Sequence, residues 1–479
     1  MTFTVALGII TFASLAGSFG WAMRGTKIGG EKGAMLPGAL LGMIFARFSG
    51  SEIIRENFWV FSAVGALAMF YGGTETYGET LGFIVNKKPP ENYAKGLQGV
   101  LLKGALWFGI FASFIGIAFN AMAGNVYKAS DFIIFFSVLV PFRFLGILIF
   151  NHPLKPDEKK FPRFYFSKTR QEEWGGLLFI LIALVVLMAW RRDMYSLMFA
   201  AAGAVSGSLG WALGINLFYL ANFPLKSGRY FYGPLQKKGY IGGWKIMEFT
   251  LGAVGGLGTA LYFCLSYGKL QDITAVIEKN GSLWNPYADP QGIAMWVSLV
   301  LILITSLQYP FQNAYNPGVK AGSKTDYIGK VFERLEQPFF SYIPLMFILM
   351  GSVRTAQLIS FFVMFFVIVQ KDFFERFIKH PGRWFWFIVL VGGGSAVLAG
   401  ELLLPNSYSA WQTWLMYLVA YEFFELCWIA HENRRRAKED KEAKISFFGR
   451  WRRMGEPLVH IYFAVQITAL LIIGFFVFR

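Results

Sequence analysis

The run WGGLLFILIALVVLMAW, Trp174 to Trp190, carries no charged residue and is bounded by Glu172-Glu173 on one side and Arg191-Arg192-Asp193 on the other. A bilayer core about 30 Å thick asks a spanning helix for roughly 17–25 apolar residues in succession. In water the same stretch would have to be buried on every side. Comparable runs recur along the whole chain. Of 479 residues, 55% are hydrophobic and 15% charged, against about 25% charged in soluble domains. Phe alone contributes 51 residues and Gly 52. A soluble fold could not bury that much aromatic and aliphatic surface. Disordered chains, disulfide scaffolds and nucleic-acid readers are excluded on the same ground.

Fourteen apolar segments can be traced, at about 3–23, 33–48, 57–80, 98–123, 131–151, 174–190, 195–221, 239–266, 292–312, 338–353, 355–370, 384–403, 411–431 and 457–478. Only Gly351-Ser352-Val353-Arg354 separates the tenth from the eleventh, and fusing them would leave thirteen spans and invert everything downstream. Loop charge decides between the two counts. The net charge is +16, and the connections after the odd-numbered spans hold 33 of the 45 Lys and Arg, against 9 on the opposite side. Basic residues collect in cytoplasmic loops. The expectation is therefore fourteen crossings with both termini outside the cytoplasm, in a membrane such as the bacterial cytoplasmic membrane. The positive charge sets topology and implies no nucleic-acid partner. Only Met1 and Thr2 precede the first span, so it lacks a basic n-region and is expected to be retained rather than cleaved.

The chain repeats itself. Gly17-Ser18-Phe19-Gly20-Trp21-Ala22 in the first span returns as Gly207-Ser208-Leu209-Gly210-Trp211-Ala212 in the seventh. Ile28-Gly29-Gly30 and Ile241-Gly242-Gly243 follow, and then Gly38-Ala39-Leu40-Leu41-Gly42 and Gly252-Ala253-Val254-Gly255-Gly256. An offset of six helices keeps orientation, which makes these parallel repeats, an arrangement known among secondary transporters. The expected architecture is all-α: a six-helix repeat over 1–190, a second over 191–403, and two added helices with a basic loop over 404–479. Small residues four apart let helix backbones approach closely. The competing use of Gly-Trp-Ala followed by Ile-Gly-Gly is a broken helix whose freed amides coordinate a substrate.

Ionisable groups at membrane depth mark function or pairing. The third span contains Tyr71-Gly72-Gly73-Thr74-Glu75-Thr76-Tyr77-Gly78-Glu79-Thr80, with Glu75 and Glu79 on one helix face. Repulsion and burial would let one of them hold a proton, the chemistry of a proton-coupling acid; the structural alternative is snorkelling or pairing with Lys87 or Lys88. In the ninth span Gln308 and Gln312 stand at the same spacing, a neutral counterpart. Arg143 requires an acidic partner, with Glu75, Glu79 or Glu248 as candidates, or an anionic substrate. Glu248 is placed to pair with Lys245 three residues earlier. Lys103, near a span end, is expected to snorkel. Glu422 and Glu425 are expected to pair with the Arg434–Arg436 loop.

The four histidines, His152, His380, His431 and His460, form no metal-ligand spacing, Cys264 and Cys427 sit inside apolar segments, and there is no phosphate-binding loop. No cofactor and no metal are implied. The leading expectation is a secondary transporter for a polar organic solute, such as a sugar or sugar acid, coupled to protons through Glu75 and Glu79. Gln308, Gln312, Arg143, Trp21, Trp211 and Glu248 are the candidate substrate-path residues. Its partners would be the small solute and membrane lipids. Two rivals stand beside it: a membrane-embedded enzyme or flippase acting on a lipid-linked substrate, and a non-transporting subunit of a membrane complex.

Overall fold

The computed structural model describes residues 1–24, 30–74, 77–152, 164–168, 170, 172–234, 242–286, 292–313, 316, 318–363, 465–466, 468–470 and 472. The elements are α1 Phe3–Arg24, α2 Gly30–Arg47, α3 Glu52–Glu56, α4 Phe58–Phe70, α5 Tyr77–Val85 and α6 Tyr93–Ala123. They continue with α7 Ala129–Asn151, α8 Trp174–Trp190, α9 Met194–Asn222, α10 Gly243–Leu265, α11 Tyr267–Asn280 and α12 Ile293–Ser306. The last are α13 Gln308–Phe311, α14 Lys324–Leu335, α15 Ile343–Leu349 and α16 Val353–Phe362. Among the described residues there is no strand. Six stretches among the described residues are long and apolar enough to cross a membrane: Phe3–Ala22, Tyr93–Ala123, Ala129–Asn151, Met194–Asn222, Gly243–Leu265 and Ile293–Phe311.

The outward faces are apolar as well. Phe144, Leu148, Val186, Val205, Leu209 and Leu303 are each more than half exposed. Apolar side chains on the interior and on the perimeter of the same helices describe a protein solvated by lipid. This is an integral membrane protein.

Within the protein, α1 packs on α2 and α10, α10 on α9, α9 on α6, α6 on α4, and α4 on α2, closing a circuit of six helices. Four of them come from 1–190 and two from 191–403. The repeated glycines make the close approaches. A Cβ on Gly17 would lie 2.3 Å from the Gly252 carbonyl oxygen, and one on Gly207 would lie 2.2 Å from that of Gly104. In lipid, where tails are as apolar as Leu, such backbone contact is a main source of helix association. The second glycine of each copy meets the following helix at matched positions: Gly20 on Pro37 and Gly210 on Leu251, the residues that precede the matched Gly38 and Gly252.

Several expectations are corrected by the backbone. Trp21 and Trp211 lie within the continuous α1 and α9, and Ile28-Gly29 and Ile241, which follow them, lie outside the described residues. A break falls in the third apolar segment, where α4 gives way to a 3-10 turn over Tyr71–Thr74 before α5 begins at Tyr77. The tenth segment is the end of a longer helix: α14 runs without interruption through a π-helical stretch, Glu336–Tyr342, into α15. Hydropathy alone stops at the charged residues of α14 and misses this continuity. The Gly351 break is real. Gly351 adopts φ +98°, and Ser352 caps α16 by accepting from the Thr355 amide. α11 is an unexpected amphipathic helix, docked where Glu278 accepts from Ser51 Oγ at 2.5 Å. Lys103 does not snorkel: it is fully buried and donates to Thr80 Oγ1 at 2.8 Å.

The start of α14 carries a testable charge device. Asp326 accepts from the amides of Asn313 at 2.9 Å and Gly322 at 3.0 Å and from Lys330 Nζ at 2.7 Å. The Lys330 hydrogen bond, followed by those two amides, lowers its carboxyl to about 2. A carboxyl depressed in the folded state adds stability above its unfolded value near about 3.9 and loses it as pH falls through the folded value. Amide-exchange protection of Asn313 and Gly322 is therefore expected to fall between about pH 4 and pH 2, and Asp326→Asn is expected to remove that pH dependence. Protection that stays constant across that interval would contradict the assignment.

Candidate functional site

The two departures from α-helix meet. Tyr71, first residue of the 3-10 turn, stacks on Tyr342, last residue of the π stretch, with ring centroids 5.1 Å apart. Phe70 and Phe340 form a second contact across the same junction at 5.4 Å. Phe114 of α6 and Phe136 of α7 close the sides, against Tyr71 at 6.1 Å and Tyr342 at 6.4 Å. The turn at Gly72 is shaped by Trp107: a Cβ there would fall 2.0 Å from the indole, and Trp107 Nε1 donates to the Met69 carbonyl at 2.7 Å. That hydrogen bond caps a carbonyl at the end of α4, just where the helix loses its regular ladder.

Beside the junction lies an ion pair. Arg143 Nη2 is 2.6 Å from Glu173 Oε2, and both side chains are largely shielded from solvent. Arg143 comes from α7 two residues after Pro141, and Glu173 is the N-cap of α8. The α7–α8 hairpin brings them together through backbone approach of Gly146 and Gly175 and through the Gly175 amide, which donates to Asn151 Oδ1 at 2.7 Å. Arg143 therefore pairs with Glu173; of the expected partners, Glu248 pairs with Lys245 instead, and Glu75 lies outside the described residues. The guanidinium acts electrostatically on both tyrosines, and Ser341 lies beside the Tyr71 hydroxyl. Among the described residues, the buried Tyr342 hydroxyl and Arg143 Nε have no hydrogen-bond partner. Buried polar groups in folded proteins are nearly always bonded, so such donors mark this junction, as Arg191 Nε and the Tyr195 hydroxyl mark the other end of α8.

The other sequence candidates attach to this junction from three directions. Trp21 and Trp211, equivalent in the repeated strings, both contact Trp107, at 4.6 Å edge-on and 6.3 Å stacked. Trp107 thus ties the aromatic stack to the Gly72 turn. Glu248 pairs with Lys245 at 2.9 Å as its spacing implies, and Lys245 also donates to the Ala22 carbonyl at 2.9 Å, next to Trp21. Gln308 and Gln312 are buried and point at α14 and the π stretch. Gln308 Nε2 donates to Glu336 at 2.9 Å, and Gln312 Nε2 donates to Glu333 at 3.1 Å and to the Gly329 carbonyl at 3.0 Å. Glu336 opens the π stretch, so this ladder anchors its beginning as Tyr342 anchors its end. Glu79 lies half-buried in the first turn of α5, and Glu75 lies outside the described residues.

No family model, curated protein or solved structure matches this chain. The site stands on its own geometry. Glu173, Glu333, Glu336, Tyr71 and Tyr342 are the members that the sequence reading missed. The three glutamates fell in segments read as loops, and the tyrosines carry no charge to stand out in an apolar run. Among the described residues no group of three His, Cys, Asp or Glu could hold a metal ion. What the arrangement offers is a buried cation with one carboxylate partner, two phenol hydroxyls and an aromatic wall, all set on irregular backbone inside a membrane protein.

Proposed function

We propose that this protein is a secondary active transporter that moves a polar organic solute across the cytoplasmic membrane, coupled to protons. One observation carries the reading: the 3-10 turn at Tyr71–Thr74 and the π stretch at Glu336–Tyr342 converge on the buried Arg143–Glu173 pair. In hydrocarbon, irregular backbone is tolerated only where it is buried in protein or lines a cavity. Transporters place their solute and ion sites at such discontinuities, and π segments are frequent at functional sites. The matched contacts of Gly20 and Gly210 favour a parallel repeat, and the loop charge favours fourteen spans with both termini outside the cytoplasm.

In this scheme Arg143, Tyr71 and Tyr342 face the solute. Trp21 and Trp211 stack through Trp107 behind them, and Gln308 and Gln312 hold the π stretch in register. Glu248 and Lys245 fix the end of α1. Glu75 and Glu79 follow the 3-10 turn in sequence and supply the coupling acids.

The test uses purified protein in sealed liposomes containing a pH dye. Sugars, sugar acids and organic acids are added outside, with wild type beside Glu75→Gln and Glu79→Gln. A solute-dependent acidification is expected in wild type and its loss in at least one variant. A folded wild type that moves no solute and no proton contradicts transport.

A further inference from the structure

We infer that Asp193 is a proton-binding site, which takes the proton on Oδ2 and donates it in a hydrogen bond to the hydroxyl of Tyr127 or Ser196. Asp193 lies at the end of α8 opposite Arg143 and Glu173, about 26 Å away along a helix of 17 residues. Its proton does not depend on the transporter reading. The loop charge favours this end of α8 lying outside the cytoplasm, the side from which the proton then comes.

Asp193 stands in the turn between α8 and α9 and caps α9. Its side chain is buried, with the residue 3% exposed, and it accepts four hydrogen bonds that divide by chemistry. Oδ1 accepts from Asn120 Nδ2 and from the Ser196 amide, both at 2.9 Å. Oδ2 accepts from the Tyr127 hydroxyl at 2.7 Å and from Ser196 Oγ at 2.5 Å. An N–H can only donate, so Oδ1 is committed as an acceptor. A hydroxyl both donates and accepts, and it rotates about its C–O bond. Protonated at Oδ2, the acid therefore donates to one hydroxyl, while Oδ1 remains a carbonyl with both N–H bonds intact. The Tyr127 and Ser196 hydroxyls lie within hydrogen-bonding reach of one another, so the hydrogen that turns away has an acceptor. One O–H bond forms, the carboxyl goes from a charge of about −1 to neutral, and no backbone has to move.

Charge favours the proton. None of the four donors is a cation, and among the described residues no Lys, Arg or His forms an ion pair with Asp193. A buried carboxylate without a cation beside it is costly, and becoming neutral removes that cost. Burial outweighs the hydrogen bonds from Ser196, Tyr127 and Asn120 and holds the Asp193 carboxyl above the usual carboxylate range. Tyr127 stays a phenol throughout, pushed up by burial and then by the Asp193 charge. The nearest cation in sequence, Arg191, is bonded to Asp131 at the start of α7, and Lys128 and Arg192 are exposed. From α9 comes Tyr195, whose buried hydroxyl has no hydrogen-bond partner, and from α10 comes Tyr262, which donates to the Tyr195 carbonyl at 3.1 Å. The Asp193 charge reaches both. The titratable groups of α6, Tyr93, Lys95 and Lys103, lie in its first turns, far from Asn120. α11, also packed on α6, carries Lys269, Asp272, Glu278 and Lys279 exposed and Tyr267 against Phe263.

The experiment is an infrared pH titration of the purified full chain. Wild type is expected to gain the carbonyl-stretch band of a buried carboxylic acid, with a midpoint above the ordinary aspartate value of about 3.9. Asp193→Asn is expected to fold and to lack the band, because its NH2 stands where the protonated Oδ2 stands and mimics the acid permanently. Asn120→Ala is expected to shift the band to higher frequency, since it takes one hydrogen bond from the carbonyl at Oδ1. Tyr127→Phe is expected to leave the frequency in place and to raise the midpoint by about one pH unit, since it takes a donor from the anion. A carboxyl raised in the folded state adds stability below its unfolded value and loses it as pH rises through the folded value. The melting temperature of wild type relative to Asp193→Asn is therefore expected to fall as pH rises from about 4. A midpoint at or below about 3.9, or no band that Asp193→Asn removes, overturns the inference and leaves Asp193 a fixed anionic cap. A band whose frequency follows Tyr127→Phe and ignores Asn120→Ala overturns the placement on Oδ2. An Asp193→Asn chain that does not fold also contradicts it, because the acid form would then have no place in the structure.

Discussion

Arg143→Met is expected to destabilise the protein by about 3–5 kcal/mol, because it takes from the shielded Glu173 carboxylate the guanidinium bonded to it. The pair is close, at 2.6 Å, and both side chains are mostly shielded, so little of the loss can be recovered from solvent. Arg143→Met/Glu173→Met is expected to regain most of that loss, or to exceed wild type, since apolar replacement of a whole buried pair is often neutral or stabilising by about 1–4 kcal/mol. Thermal melting of the purified single and double variants in detergent measures both. A double variant no more stable than Arg143→Met would show that Arg143 is not the partner that makes Glu173 tolerable. Stability restored without transport would separate the two roles of the pair, because the apolar variant has nothing with which to hold a solute.

Gly207→Val is expected to separate α6 from α9. The Cβ position at Gly207 lies 2.2 Å from the Gly104 carbonyl oxygen, a backbone atom that cannot rotate away. Overpacking of a close-packed site costs about 1–3 kcal/mol and sometimes more, and here the obstruction is backbone on both sides, so the upper end is expected. Gly8→Val on α1 is the control, because nothing lies within 4 Å of its Cβ position. Folded yield on size exclusion and melting temperature report the contrast. Equal behaviour of the two variants would mean that the repeated glycines do not hold the helices together.

Much of the fold could be read from residues whose environment is decided locally. Trp174–Trp190 is one helix with the boundaries its composition sets, because charged residues stand at both ends. Lys245 and Glu248 form the ion pair their spacing implies. The Gly351 break follows from the backbone it needs, φ +98°, and from a Ser that can cap the next helix. The repeated Gly strings announce close helix packing, and they provide it.

The site was less legible because long-range placement makes it. Arg143 was visible as a charge in need of a partner, but Glu173 sits thirty residues on, at a span boundary where a glutamate is unremarkable. Gln308 and Gln312 were visible as amides in an apolar run. Their partners Glu333 and Glu336 lie on a helix that hydropathy assigns to a loop, since α14 is amphipathic and becomes apolar only after the π stretch begins. The π stretch itself has no sequence signature beyond Pro338 within it. Lys103 misled for a related reason. Near the end of an apolar run it reads as a snorkelling side chain, whereas α6 begins at Tyr93 and carries it inside the protein.

A transporter must expose its solute site to each side of the membrane in turn, whereas an enzyme need open to one side and the core of a scaffold to neither. Ser341 is fully buried beside Tyr71, and Ser341→Cys changes one atom. In a background with Cys264→Ser and Cys427→Ser, this cysteine is probed in oriented membrane vesicles with a charged maleimide that cannot cross the bilayer. Labelling from both faces is expected, slowed from both by a solute that occupies Arg143. Labelling from one face alone, or from neither, would contradict alternating access at this junction.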